Sequence, residues 1–568
     1  MEKILHEKKE FKDMRQLVEE LAEMYDGMPA YSFRVNPRDK QATTRTFNQL
    51  RDDVRALGCE MVARGMSGKH IVLVGKLTYS WIVTYYATLA TGSTLIPLDR
   101  DWAEKDLSDT AVRADADFVF ADADILEKGE TMLSTLCESG REVTLTVVDG
   151  AVPEGKEYSS VAAMMEEGRA KFSVNSDPYY AAPINASEMS LLVFTSGTTG
   201  KGKGVMLSQH NILSDIADIL PYIDFTLKTV GVLPPQHTYG STVSIVGHAS
   251  IGCEVYLSGG LKYILNELKT EKPGHLVIVP LYLETFYRKI MAGIKAKGKE
   301  GLVNFVKKLR KVIPTSVRRK MFAEVLANFG GEVRMIVSGG AAINQEIMDT
   351  FETFGITVLN GYGITECSPL VSVNHNYNIV KGSVGIPLSI CDVKIDSPNE
   401  NGEGEICIKG SNVMLGYYKD AEATADAMTE DGFFRTGDYG KIGKKGALFI
   451  TGRKKNLIIL SNGKNVYPEE IENEFVSVPG VLDIIVYEGK SRRGDMYNAI
   501  VAEVFPDEEY LEKNKIEDAK AYLQGFVDEY NRTAVAYKKI GILKVRTEPF
   551  PKNTLRKIMR FKLDTSID

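Results

Sequence analysis

Seven short apolar runs, HIVLVG, DFVFAD, VTLTVV, SLLVFTSG, HLVIVP, VRMIVSGG and ITVLNGYG, recur between His70 and Gly363. Segments with helical spacing, such as FKDMRQLVEELAEMY and FNQLRDDVRALGCEMVARG, alternate with such runs. Uniformly apolar strands are buried on both faces, and strands alternating with helices need crossover connections, so mainly parallel sheets covered by helices are expected. With 568 residues the chain exceeds what one core accommodates, and at least two domains are expected. After about Gly382 shorter, Gly-punctuated runs (GSVGIPL, DVKIDS, GEICIKG, ALFITGR) predict a small antiparallel or barrel-like section. A charged turn, Gly452-Arg453-Lys454-Lys455, then leads into a segment of mixed β and α character. The expected division is a large N-terminal α/β domain over residues 1–454 and a small mobile α+β domain over 455–568.

Hydrophobic residues are 44% and charged residues 26% of the chain, which excludes disordered and fibrous classes. The formal net charge of -7 offers no global attraction to nucleic acid or to an anionic bilayer, and no nucleic-acid partner is expected. Six cysteines lie without a C-x-x-C pair or a matching His cluster, against a zinc site or disulfide framework and in keeping with a reducing cytoplasm. The opening MEKILHEKKEFKDM has no apolar core of a secretory signal, and the most apolar helical stretch, Tyr79 to Thr91, is too short and polar to span a bilayer. One local basic patch stands out: between Lys289 and Lys320 the cations are opposed in sequence by Glu300 alone. It is a candidate for peripheral contact with anionic lipid at the inner face of the membrane, with a solvated helical face as the alternative.

The strongest chemical feature is LLVFTSGTTGKGKGVMLSQHN, Leu191 to Asn211: an apolar strand, a run of glycines, hydroxyls and lysines, then an expected helix. Glycines let backbone N–H groups approach anionic oxygens while Ser, Thr and Lys add donors and charge, so the composition suits phosphate. A Walker A loop is the rival. Gly197, Gly202 and Lys203 match it, but Gly204 stands where its metal-binding Ser or Thr should be. The bland alternative is a flexible Gly/Ser loop with no ligand.

With this loop the chain resembles the adenylate-forming superfamily of acyl-CoA synthetases, luciferase-type enzymes and peptide-synthetase adenylation domains. The resemblance implies that Thr195, Ser196, Gly197, Thr198, Thr199 and Lys203 wrap the β- and γ-phosphates of ATP. It assigns Gly340 and Ala341, after VRMIVSGG, and Asn360, Gly361 and Tyr362, in NGYGITE, to the adenine, with Tyr362 stacking on one face. Strand C-terminal ends are where open α/β sheets bind ligands. Thr365 would donate to the α-phosphate and Glu366 would hold Mg²⁺, a hard cation suited to oxygen ligands. Asp438 in RTGD and Arg453 in TGRKKN would bind the ribose; a turn-capping Asp is the alternative for the first. His237, in LPPQHTYG, would position the acyl carboxylate or gate its channel, since an acid already ionised at neutral pH needs no base.

Near the end, PKNTLRKIMR places Lys557 where the family carries a catalytic lysine, with Arg556 where a Gly commonly stands. A cation there neutralises the approach of two anions. Lys455 matches the hinge of the small domain, and Gly463 the wall of the thiol tunnel. VPLYLETFYRKI and the residues from Lys307 to Ala342 resemble long-chain acyl-CoA synthetases. The implied reaction activates a medium- or long-chain fatty acid with ATP and passes the acyl group to CoA. Loading of acyl carrier protein, adenylation of an aryl or natural-product acid, and a non-catalytic binding protein are the alternatives.

Overall fold

In the computed structural model the described residues are 4–36, 38–195, 202–460, 465–489, 499–552 and 558–567. Every run in the sequence pattern becomes a strand. His70–Val74, Phe118–Ala121, Thr144–Val147 and Met189–Phe194 join an eight-stranded sheet, and His275–Ile278, Met335–Ser338 and Thr357–Gly363 a nine-stranded one. Within each sheet the central pairs are parallel, as crossover connections dictate. Antiparallel additions finish the edges: Gly204–Ser208 and Gly416–Tyr417 on the first, Leu370–Val373 and Ile386–Pro387 on the second.

Local chemistry sets the covering helices. Phe47–Ala63 begins with a capping box, in which the Thr46 hydroxyl accepts from the Gln49 N–H at 3.3 Å and the Gln49 carboxamide from the Thr46 N–H at 3.0 Å. Tyr79–Ala90 is buried on all sides, with Trp81, Tyr85 and Tyr86 among the largest enclosed side chains, which explains a sequence apolar all round. No helix among the described residues is long and apolar enough to cross a membrane.

Cys391–Asp396, Gly404–Gly410, Phe434–Ile442 and Leu448–Arg453 form a four-stranded antiparallel sheet, the expected Gly-punctuated section. Its apolar side chains, including Ile406, Ile408 and Leu448, belong to the main core. Beyond Ile458 a separate core forms around Ile471, Val486, Ala502 and Val527, on a three-stranded sheet of Val481–Gly489, Ala499–Pro506 and Ile542–Val545. The chain crosses between them in the short 3₁₀ turn Lys454–Asn456.

Candidate active site

The strand Met189–Phe194 and the strand Gly204–Ser208 form an antiparallel hairpin whose connection is the glycine-rich loop. Its base closes where the Thr195 N–H donates to the Lys203 carbonyl at 3.0 Å. Here the sequence expectation needs correction: a second strand, not a helix, follows the loop, and the helix Gln209–Ile219 begins only after Ser208. Strands Met189–Phe194 and Gly204–Ser208 are held together by paired apolar residues such as Val193 and Val205. A Walker A loop runs straight into a helix, so this geometry removes that rival independently of Gly204. Ser196, Gly197, Thr198 and Thr199 lie outside the described residues.

At the C-terminal end of Thr357–Gly363 the buried Tyr362 donates its hydroxyl to Asp438 Oδ2 at 2.7 Å, and Arg453 Nε lies 3.0 Å from the other carboxylate oxygen. Register makes the second contact, because Asp438 and Arg453 are directly opposed in their antiparallel strands. Asp438 is 3% exposed and lies inside a strand rather than capping a turn, after Gly437 in the left-handed region at φ 70°. Burial and the neighbouring Asp438 carboxylate push the Tyr362 phenol well above its ordinary range, so it stays a donor. Beside it, Asn360 Oδ1 is buried with no hydrogen-bond partner among the described residues. An enclosed acceptor left unpaired is costly and marks a place for a ligand donor. Gly340, at φ 85°, and Ala341 form an exposed turn after Met335–Ser338, next to Gly361 and Tyr362 in the adjoining strand.

Glu366 follows Thr365 in a 3₁₀ turn, and its carboxylate accepts the Tyr417 hydroxyl at 3.0 Å. Burial raises the Glu366 pKa from its ordinary value; the Tyr417 hydrogen bond and the Arg453 charge oppose the shift. Lys203 Nζ sits 4.5 Å from the centre of the Tyr417 ring, so Lys203, Tyr417 and Glu366 form one chain from the loop to the carboxylate. No motif marks Tyr417 in the sequence. Only its place on the edge strand Gly416–Tyr417, paired with Gly204–Ser208, brings it there. A desolvated carboxylate facing the exit of a phosphate-type loop suits a hard cation. No group of three His, Cys, Asp or Glu side chains able to hold a metal occurs among the described residues.

An apolar cavity opens from these strand ends. Gly339, Gly361 and Tyr362 line it at one end, and Ile216, Leu220, Phe225 and His248 elsewhere. One wall is a π-helix, Tyr239–Gly247, whose wide turn directs Tyr239, Val243 and Gly247 inward. The chain enters it tightly: a Cβ on Gly240 would lie 2.2 Å from the Pro234 carbonyl oxygen, the physical reason for glycine in HTYG. Tyr239, rather than the half-buried His237 in the preceding turn, lines the cavity.

Lys455 lies exposed in the crossing turn, where partial desolvation and the Arg453 charge lower its pKa. Gly463, Arg556 and Lys557 lie outside the described residues; the bridge between Lys552 and Ile558 brackets the last two. The basic segment is less naked than its sequence. Lys297 and Lys299 meet Glu324, Lys307 meets Glu346, and Arg310 meets Asp349 and Glu352. Arg318 and Arg319 donate to backbone carbonyls. On the helix Glu300–Leu309, however, Leu302, Phe305 and Leu309 are 36%, 58% and 38% exposed along one stripe.

This fold, with ligand-type groups gathered at its strand ends, is that of the adenylate-forming enzymes. The structure aligns with ATP-bound MatB from Rhodopseudomonas palustris over 96% of this chain and 97% of that one, with a TM-score of 0.74 and 23% identity. Residues 18–418 match the model of the AMP-binding enzyme family, and the chain belongs to that family. It is 33% identical over 350 residues to long-chain-fatty-acid–CoA ligase 5 of Rattus norvegicus, covering 58% of this chain and 50% of that protein. Against long-chain-fatty-acid–CoA ligase 1 of Homo sapiens it is 27% identical over 505 residues, covering 82% of this chain and 70% of that protein. The first alignment thus spans half the length of the relative.

Proposed function

We propose that the protein activates a medium- or long-chain fatty acid with ATP and transfers the acyl group to CoA. The observation that carries this reading is the apolar cavity ending beside Tyr362, which suits a hydrocarbon tail whose carboxylate meets a nucleotide at the strand ends. The curated relatives, named as long-chain-fatty-acid–CoA ligases, support the same substrate class. In the first half-reaction a carboxylate oxygen attacks the α-phosphorus of ATP, the bond to pyrophosphate breaks, and acyl-AMP forms. In the second, the CoA thiol loses its proton, sulfur attacks the acyl carbonyl, and AMP leaves.

In this reading Tyr362 stacks on the adenine, with Gly340, Ala341 and Gly361 around it, and Asn360 Oδ1 accepts from the exocyclic amine. Asp438 takes the ribose hydroxyls while Arg453 holds its charge. The loop from Thr195 to Lys203 wraps the distal phosphates, and Thr365 donates to the α-phosphate. Glu366 would hold Mg²⁺, which when bound neutralises phosphate charge. Lys557 neutralises the approach of carboxylate to phosphate, and His237 orients the carboxylate from the turn before the π-helix. The chain divides near Lys455, where the two cores separate, and Lys455 serves as the hinge between half-reactions, with Gly463 on the thiol path. The test is pyrophosphate release across a series of fatty acids, with and without CoA. Release that needs acyl carrier protein in place of CoA, or an aryl acid in place of a fatty acid, overturns the reading.

The helix Glu300–Leu309 supports a peripheral location on the cytoplasmic face of an anionic bilayer. Its exposed Leu302, Phe305 and Leu309 lie beside Lys308 and Lys311, which make no ion pair among the described residues. A bilayer of anionic lipid matches both the apolar stripe and the charge.

A further inference from the structure

One lining residue of the cavity is a histidine, His248, and it lies far from the nucleotide end. It bonds His275, Nε2 to Nε2, at 2.9 Å. His275 opens the strand His275–Ile278, level with Met335, whereas Ile278 is level with Ser338 and the glycines of the nucleotide end follow. From His275 to Gly339 is four residues of strand, roughly 13 Å at the usual rise. The cavity therefore runs along the sheet from its C-terminal edge to its N-terminal edge.

The hydrogen bonds define how the two imidazoles are protonated. The Thr226 N–H points at His275 Nδ1 from 3.2 Å and the Thr226 hydroxyl lies 2.7 Å from the same nitrogen, an arrangement that fits a bare Nδ1 accepting from both and a proton on His275 Nε2. His248 Nε2 must then accept, and His248 Nδ1 donates to the Ser244 carbonyl at 2.8 Å. Both rings are neutral and fully buried, and all four nitrogens are committed. Phe225 packs edge-on against both, with centroids 5.5 and 5.0 Å away. His248 thus offers a ligand its ring carbons and no free polar atom. Its orientation is locked from behind by His275.

We propose that His248, held by His275, is the stop against which the far end of the acyl chain rests, so that it sets the longest chain accepted and selects a terminal methyl over a polar ω-group. The inference rests on the fatty-acid reading above. It is tested with the full-length protein by measuring kcat/KM for pyrophosphate release with straight-chain saturated acids of increasing length. The wild type shows a limiting length. In His248→Ala the limit moves up, and the first acid beyond the wild-type limit gains roughly tenfold or more, the scale of one methylene in an apolar pocket. Gly247→Leu moves it down, because Gly247 and Ile216 both line the cavity, a Cβ at Gly247 would lie in ordinary contact with the Thr242 carbonyl oxygen at 3.4 Å and Ile216 Cγ2 at 3.8 Å, and the rest of the leucine would extend into the cavity. His248→Phe fills the same space without the hydrogen bonds and keeps the wild-type limit at a lower melting temperature. An ω-hydroxy acid of limiting length is a poorer substrate than its parent by about tenfold or more. Should His248→Ala not fold, His248→Asn, smaller and still able to pair with His275, carries the same expectation. A folded small-residue variant with the wild-type limit overturns the inference and leaves the fatty-acid reading intact. A wild type that activates no straight-chain acid overturns both.

Discussion

The Tyr362 hydroxyl reaches Asp438 across 2.7 Å and ties the end of the nine-stranded sheet to the middle of the four-stranded one. The two residues are 76 positions apart in sequence, and on the proposed reading their contact would join the residues for adenine to those for ribose.

Tyr362→Phe should keep the ring and lose one charge-assisted hydrogen bond, worth about 1.5–3 kcal/mol. The expected result is a rise of about tenfold in KM for ATP with little change in kcat, read from steady-state kinetics. Asp438→Ala removes the acceptor for Tyr362 and Arg453 together and should be worse. Equal, small effects would detach Asp438 from the nucleotide.

Tyr417→Phe leaves the ring beneath Lys203 and removes the donor to Glu366. Burial already lifts the Glu366 pKa, and the Tyr417 bond restrains that shift. Without it the pKa rises further, and the acid limb of the pH–rate profile for pyrophosphate release should move to higher pH. An unmoved limb means that Glu366 does not govern it.

Lys557→Ala should lower adenylate formation by about 10²- to 10³-fold, the usual loss for one positioned electrostatic donor. Transfer from preformed acyl-adenylate to CoA should be largely spared, since a thiol there attacks a neutral carbonyl. Parallel loss of both steps, in a protein that melts normally, would falsify the assignment.

Burial lowers the His248 pKa to about 4 from its ordinary 6.5, and burial with the His248 charge lowers His275 further. Below pH 6.5 the unfolded chain binds protons at both positions that the folded chain refuses. Stability contributed by the neutral pair is therefore complete above pH 6.5 and falls as pH drops toward 4, by about 1.4 kcal/mol per pH unit for each imidazole. The difference in unfolding free energy between wild type and a His248→Phe/His275→Phe double variant isolates this slope from the carboxyl groups. A difference constant between pH 7 and 5 contradicts the neutral assignment.

Sedimentation with phosphatidylglycerol vesicles should carry down the wild type at low salt and less at high salt, with little recovery on phosphatidylcholine. Phe305→Glu with Leu309→Glu should abolish this while preserving turnover of a soluble shorter acid. Equal recovery on both lipids would show that charge plays no part.

Strands and helices were legible because burial imposes their patterns: residues 71–74 and 335–337 are buried on both faces and apolar throughout. Gly204–Ser208 was not, since GVMLS after a glycine loop resembles the start of a helix until Val205 and Leu207 pair with the strand before it. Tyr362, Asp438 and Arg453 could be singled out locally, but their convergence comes from sheet register. Tyr417 and the His248–His275 pair carry no local mark at all; each acquires meaning from a partner distant in the chain. The charge of the basic segment was only partly legible for the same reason, because Glu324, Glu346, Asp349 and Glu352 arrive from beyond it to meet some of its cations.

The edge strand Gly416–Tyr417 has a consequence for how the chain tolerates changes in length. Tyr417 is paired with Val205, and just before it the Met414 N–H holds the Glu366 carbonyl at 2.8 Å. The strand Gly204–Ser208 thereby acts as a common ruler for the loop exit and the carboxylate. One residue inserted there would turn its side chains to opposite faces and carry Tyr417 away from Glu366. Insertions of the same size in the exposed turn around Gly155, remote in sequence from every site residue, disturb no such register, so that turn is where a tag or fluorophore can be placed without altering the chemistry.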